Sequence, residues 1–187
     1  MHARIAPLEP PYPTTIETAF ARIMPPGLPP LMIFRTAARS PRILDKMMAG
    51  NLLDRGSLER QDRELVILRA CALCGAEYEW GVHVAAFAAK VGLSAAQVAD
   101  STRADCDATL WSPRQQRLLR LVDSLHANYR VDAGLWTELA AEFSEEQLLE
   151  LLMLCGQYHQ IAMLVNALEL APEAMAPRFP TASSLVT

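Results

Sequence analysis

The chain has 187 residues, four more acidic than basic side chains, 51% hydrophobic but only 6% aromatic residues, and four cysteines. That length suits one well-buried core, and Ala-, Leu- and Met-rich composition with few glycines predicts helices rather than strands. Scattered charges without a Lys/Arg block argue against a nucleic-acid partner.

Nine of the thirteen prolines fall within the first 41 residues, so residues 1–39 read as a proline-rich arm that cannot hold long helices, with one short helix near 15–24. Such an arm either wraps its own domain or a neighbouring subunit, or stays disordered. Met1 to Pro13 has no continuous apolar core, so no export signal is expected and the protein is placed in the cytoplasm, with its cysteines reduced.

A helical domain over residues 40–171 follows. Ser40-Pro41 and Ser112-Pro113 put a capping hydroxyl before an N1 proline, while Ser94 with Gln97 and Ser144 with Gln147 have capping-box spacing. Apolar periodicity between these signals predicts helices near 41–54, 60–74, 77–91, 94–102, 113–128, 132–142 and 145–170, and residues 172–187 form a tail. Glu150, Gln157, His159, Gln160 and Asn166 interrupt the last apolar run, which reads as a buried helix rather than a membrane span. Leu73-Cys74-Gly75 recurs as Leu154-Cys155-Gly156, an internal repeat consistent with a duplicated helical hairpin or with chance.

Residues Leu65 to Ala76 are apolar apart from Arg69, so that helix is expected to be buried on nearly every side, with Glu64 sharing a stripe with Leu68 and Cys71. On the next helix Glu79 and His83 stand at i and i+4 and can share a proton. A satisfied core histidine and a first-turn glutamate are the bland alternatives to a catalytic set of Glu64, Glu79 and His83. Cys71 and Cys74 form a C-x-x-C, yet they lie late in a helix, where the dipole opposes thiolate, so two small core residues compete with a redox pair. Tyr78 and Trp80 beside Glu79, with Tyr158 and His159 on the last helix, are expected to border a pocket. No metal-binding spacing joins Glu79, His83 or His159, and neither metal nor cofactor is expected.

Taken together, Arg63-Glu64-Leu65-Val66-Ile67-Leu68-Arg69, Glu77-Tyr78-Glu79-Trp80-Gly81-Val82-His83 and Gly92-Leu93-Ser94 resemble the carboxymuconolactone decarboxylase family, whose superfamily includes alkylhydroperoxidase-D-like proteins. The resemblance spans about residues 41–171 and implies an all-α, alkylhydroperoxidase-D-like fold and a homo-oligomer: dimer, trimer or hexamer. In the peroxidase branch the redox cysteines, counted back from the histidine, fall at Ala76 and Glu79, and the relay glutamate at Glu64. The chain thus keeps Glu64 and His83 of that relay and lacks both thiols. The decarboxylase branch carries a glutamate four residues before the histidine, as Glu79 and His83 do. The resemblance therefore implies cofactor-independent acid–base chemistry on a small carboxylate or lactone-type metabolite. The alternatives are an alkylhydroperoxidase-like antioxidant using Cys71 and Cys74, and a non-catalytic oligomeric binding protein.

Overall fold

A computed structural model describes residues 3–181, and every regular element among them is helical. The α-helices are α1 (Thr14–Ile23), α2 (Met32–Ala37), α3 (Pro41–Ala49), α4 (Arg60–Leu73), α5 (Glu77–Ala86), α6 (Ala95–Asp100), α7 (Pro113–Asn128), α8 (Ala133–Ala140) and α9 (Glu145–Ala167), with 3-10 turns at Ala88–Val91 and Ala108–Leu110. Residues 1–2 of the arm and 182–187 of the tail lie outside the described residues.

Ser94, Ser112 and Ser144 each form a full capping box. Ser40 does not, although Pro41 does open α3. The three capping serines have ψ near 160°, whereas Ser40 has ψ 100° and its hydroxyl makes no cap bond. The expected helix over 77–91 is cut short at Phe87, where φ −130° leads into a 3-10 turn that Gly92 closes at φ 79°.

Helix α4 is the central element, packed against α5, α7 and α9. Leu65, Val66, Ile67, Leu68, Ala70 and Cys71 are all buried, so its apolar residues point in every direction into protein, as a helix without a polar face must. Arg69 lies in the same apolar run and is equally buried. Its guanidinium donates to Asp123 Oδ1 on α7 at 2.6 Å and to the carbonyls of Ser101 (3.1 Å), Arg103 (2.6 Å) and Ala104 (3.3 Å). It closes the loop after α6 onto the core.

Helix α9 is, among the described residues, long and apolar enough to cross a membrane. One face, including Leu148, Leu151, Leu154, Tyr158, Ile161 and Val165, nevertheless fills the core. Glu150 on the same helix accepts from Ser57 N at 2.8 Å, and Asn166 donates to the Cys74 carbonyl at 2.8 Å, so these two polar groups have protein partners, whereas Gln157 Oε1 is buried without one. The two Leu-Cys-Gly segments take different conformations. Gly75 sits at φ 62° in the turn between α4 and α5, whereas Gly156 lies inside uninterrupted α9, and no second hairpin turn occurs there.

The proline-rich arm lies on its own chain. Ile16 and Phe20 of α1 join Ala37, Ala38 and Leu44 in a small satellite core, and Tyr12 meets Phe20 edge-to-face at 5.1 Å. Leu8 and Arg35 exchange bonds of 3.1 and 2.9 Å, and Arg4 N donates to Leu168 O at 2.9 Å.

The tail crosses α5. Glu173 accepts from Tyr78 Oη at 2.6 Å, Phe179 N donates to Glu77 at 2.8 Å, and the Phe179 ring packs on Trp80 at 5.1 Å. The crossing needs a residue without a side chain at Gly81, where a Cβ would stand 2.4 Å from Pro177 O and 3.0 Å from Ala176 Cβ. Gly81→Ala is therefore expected to lift the tail and to lower stability by about 1–3 kcal/mol, the usual cost of overpacking. Limited proteolysis reads this directly: cleavage near residues 174–178 should accelerate in the variant, and an unchanged cleavage rate would mean the tail does not bear on Gly81.

Candidate active site

Two adjoining helices and α9 bring a buried polar cluster together. Glu64, in the first turns of α4, is fully buried because the residues around it on the helix are core residues. His83, one turn after Glu79 on α5, points at it: Nδ1 lies 2.7 Å from Glu64 Oε2. The other ring nitrogen, Nε2, is 3.0 Å from the Tyr158 hydroxyl and 3.5 Å from Glu79 Oε1. The second oxygen of Glu64 accepts from Arg63 Nε at 3.2 Å, and Arg63 is anchored by donating to the carbonyls of Leu53 and Asp54 at 3.0 and 3.1 Å.

The electrostatics follow from this arrangement. Burial alone would lower the His83 pKa, but hydrogen bonds to Glu64 and Glu79, reinforced by their charges, raise it to about 9. At neutral pH the ring is an imidazolium: Nδ1–H donates to Glu64, and Nε2–H points at Tyr158 and Glu79. Burial first, and the neighbouring carboxylates after it, push the Tyr158 phenol well above its ordinary range, so it stays protonated. Glu79 Oε2 is buried and has no hydrogen-bond partner, which leaves one acceptor uncommitted beside the imidazolium.

Phe87 packs on the His83 ring at 5.3 Å between centroids, and Phe87 and Arg63 both line a cleft of about 710 Å³ whose rim also carries Arg60 and Lys90.

The remaining sequence candidates fall elsewhere. Cys71 is fully buried on α4 and its thiol is pushed well above the usual range, by desolvation and then by the charge of Glu79. Burial also raises Cys74, at the end of α4. Tyr78 gives its hydroxyl hydrogen bond to Glu173, and Trp80 donates to Ser101 Oγ at 3.2 Å, so neither polar group serves the His83 cluster. Tyr158 and His159 do not share a pocket: successive residues point about 100° apart on a helix, and His159 turns to His126, 3.1 Å away on α7. The duplicated hairpin that the repeat suggested is absent before Tyr158 and His159, because no turn follows Gly156.

Sequence reading assigned no role to Arg63 or His126. Arg63 stood inside the recognised motif, but a charged first-turn residue looks solvent-facing until the carbonyls of residues 53 and 54 are seen. His126 has no sequence neighbour that marks it.

In fold, this all-helical domain is similar to solved alkylhydroperoxidase-D-like structures. By sequence, residues 39–124 match the carboxymuconolactone decarboxylase family, a stretch that includes Glu64, Glu79 and His83 but not Tyr158. Among solved structures, an uncharacterised peroxidase-related protein from Silicibacter sp. TM1040 superposes with a TM-score of 0.79 at 14% identity, covering 96% of this chain and 98% of that one. A protein of unknown function from Agrobacterium tumefaciens, linked by name to AhpD-type antioxidant defence, gives 0.67 at 20% identity over 74% and 95% of the two chains. The debrominase Bmp8, as a cysteine-to-alanine variant in complex with 2,3,4-tribromopyrrole, gives 0.75 at 14% identity over 94% of each. At these identities the likeness is one of fold. No curated protein matches the chain significantly by sequence.

Proposed function

We propose that the protein is a cofactor-independent acid–base enzyme of the carboxymuconolactone decarboxylase type, acting on a small carboxylate or lactone-type metabolite. The observation that carries this reading is the engagement of both His83 nitrogens, with Nδ1 fixed by Glu64 at 2.7 Å and Nε2 turned to Tyr158 and Glu79. One nitrogen is held and the other faces the groups that would take up or pass on a proton, the division of labour that general acid catalysis requires. His83 donates the Nε2 proton to a carbanionic or enolate carbon, or to a leaving lactone oxygen. Glu79 and Tyr158 relay its replacement. Arg55, Arg60 and Lys90 in the cleft lining outnumber Asp54 and Glu59, a balance that favours an anionic substrate.

Within the cytoplasm, a homo-oligomer is the form we assign to it. Leu149, Met153 and Met163 project from the outer face of α9 with about two thirds of their surface exposed (65%, 66% and 67%), an apolar stripe suited to a second copy.

Deuterium incorporation provides the test. Product formed in D2O from a panel of small carboxylates and lactones should carry one solvent-derived deuterium on carbon, and its formation should slow by about 10²- to 10⁴-fold with the His83→Gln protein. Product formation by that variant at the native rate would overturn the assignment.

The peroxidase alternative makes an opposite demand on the thiols. Because desolvation and the Glu79 charge hold Cys71 protonated, and burial does the same for Cys74, both are expected to resist peroxide at neutral pH. Mass spectrometry after brief peroxide exposure should find neither sulfenate nor a Cys71–Cys74 disulfide. Either species forming within seconds would replace proton chemistry by thiol chemistry.

A further inference from the structure

The second polar cluster lies on the other side of α9, where Cys74 Sγ, His126 and His159 converge from the ends or middles of three helices. Their donor atoms all fall within 4.8 Å of one another. Cys74 Sγ is 3.7 Å from His126 Nδ1, and His126 Nδ1 is 3.1 Å from His159 Nε2. In a tetrahedral zinc site, with metal–nitrogen bonds of about 2.05 Å and metal–sulfur bonds of about 2.3 Å, the corresponding separations are about 3.6 and about 3.3 Å. Two of the three edges of one coordination tetrahedron thus already have close to the required length, and the donors of Cys74 and His159 lie within 4.8 Å of each other.

We infer that Cys74, His126 and His159 form a binding site for a thiophilic divalent transition metal, of which zinc is the type, with one coordination position open to a donor from solution. The surroundings are those of a prepared ligand set. His159 Nδ1–H donates to the Cys155 carbonyl at 2.8 Å, which fixes the tautomer with its lone pair on Nε2, facing the cluster, as outer partners of metal-bound histidines do. Asn166 holds the Cys74 carbonyl at 2.8 Å and so pins the end of α4 to α9. All three ligands are half-buried, and the cluster opens on a cavity of about 230 Å³ that Tyr129, Ala162 and Met163 complete.

Binding is a simple exchange. The metal takes the place of the Cys74 thiol proton, which is released to water, the sulfur–metal bond forms, and two imidazole lone pairs complete three of the four bonds. The ligands are 52 and 33 residues apart in sequence, which is why no spacing motif announces them. Three donors and one open position distinguish the site from closed structural zinc sites. It shares α9 with the His83 cluster through adjacent residues, Tyr158 and His159, but none of its ligands belongs to that cluster.

Cobalt(II) titration of the reduced, full-length chain tests the inference. One equivalent should bind, with tetrahedral visible bands and a thiolate-to-cobalt charge-transfer band in the near ultraviolet, and one equivalent of zinc should bleach both. Cys74→Ser should remove the charge-transfer band. His159→Gln and His126→Ala should each weaken binding by more than about 100-fold, beyond the roughly 10- to 100-fold effect of losing an outer partner. Cys106→Ser, whose thiol instead contacts the Asp100 carbonyl, should leave the spectrum intact. A native protein without the charge-transfer band overturns the proposal whatever the variants do, as does a band that survives Cys74→Ser or is indifferent to both histidine changes.

Discussion

Glu64→Leu is expected to lower the unfolding free energy by about 3–5 kcal/mol at neutral pH, the cost of removing one partner from a buried ion pair. Glu64 is fully buried, and its two oxygens take bonds from opposite sides, Arg63 Nε at 3.2 Å and His83 Nδ1 at 2.7 Å. Leucine fills the volume but leaves a guanidinium and an imidazolium facing hydrocarbon. Glu64→Gln keeps an acceptor for one of them and should cost less. The pH dependence identifies the pair. His83 titrates at about 9 in the folded chain and near 6.5 when unfolded. Between those values the folded state holds more protons than the unfolded one, so stability falls as pH rises. The contribution is fully present below about pH 6.5, declines through the window, and is lost above about pH 9; it amounts to roughly 3 kcal/mol. Urea unfolding at about pH 6, 7.5 and 9 measures it. The native protein should lose stability across that series, and Glu64→Gln should lose distinctly less. Parallel curves would mean that Glu64 does not hold the His83 proton.

The parts of this arrangement that were readable in the sequence are those governed by local spacing. An apolar run around Arg69 allows only a buried helix, and i, i+4 spacing puts Glu79 and His83 on one face whatever the rest of the fold does. Two capping boxes, at Ser94 and Ser144, and the Ser112-Pro113 cap marked helix starts because hydroxyl and amide act within four residues. What escaped depends on contacts between distant segments. Ser40 has the residues of a cap without its backbone angle. Gly156 shares a tripeptide with Gly75, yet the core contacts of α9 carry the helix through it, and only Gly75 adopts a left-handed turn. Tyr78 and Trp80 looked like pocket residues through proximity to Glu79; the tail and the α6 end claim them instead. Arg69 was visible only as an interruption, although its guanidinium satisfies three loop carbonyls. Tyr158 reaches His83 from 75 residues away, a distance over which no periodicity operates.

His83→Gln should reduce turnover by about 10²- to 10⁴-fold, the range that a positioned general acid or base contributes, while far-ultraviolet circular dichroism stays helical. Glutamine retains a polar end of similar reach but has no proton to lend at Nε2. The alkaline limb of the rate profile locates the proton. Because His83 acts as its imidazolium, kcat/KM should hold below about pH 9 and fall above it, following the pKa that Glu64 and Glu79 sustain. Glu64→Gln removes the strongest of those supports and should move the limb to lower pH. Tyr158→Phe leaves both carboxylates in place and removes only the 3.0 Å contact, so its limb should stay put while the rate drops by about tenfold, the worth of one hydrogen bond. These two variants separate the charge that tunes His83 from the hydroxyl that passes its proton on. A limb indifferent to Glu64→Gln would assign the titration to another group and remove His83 as the acid.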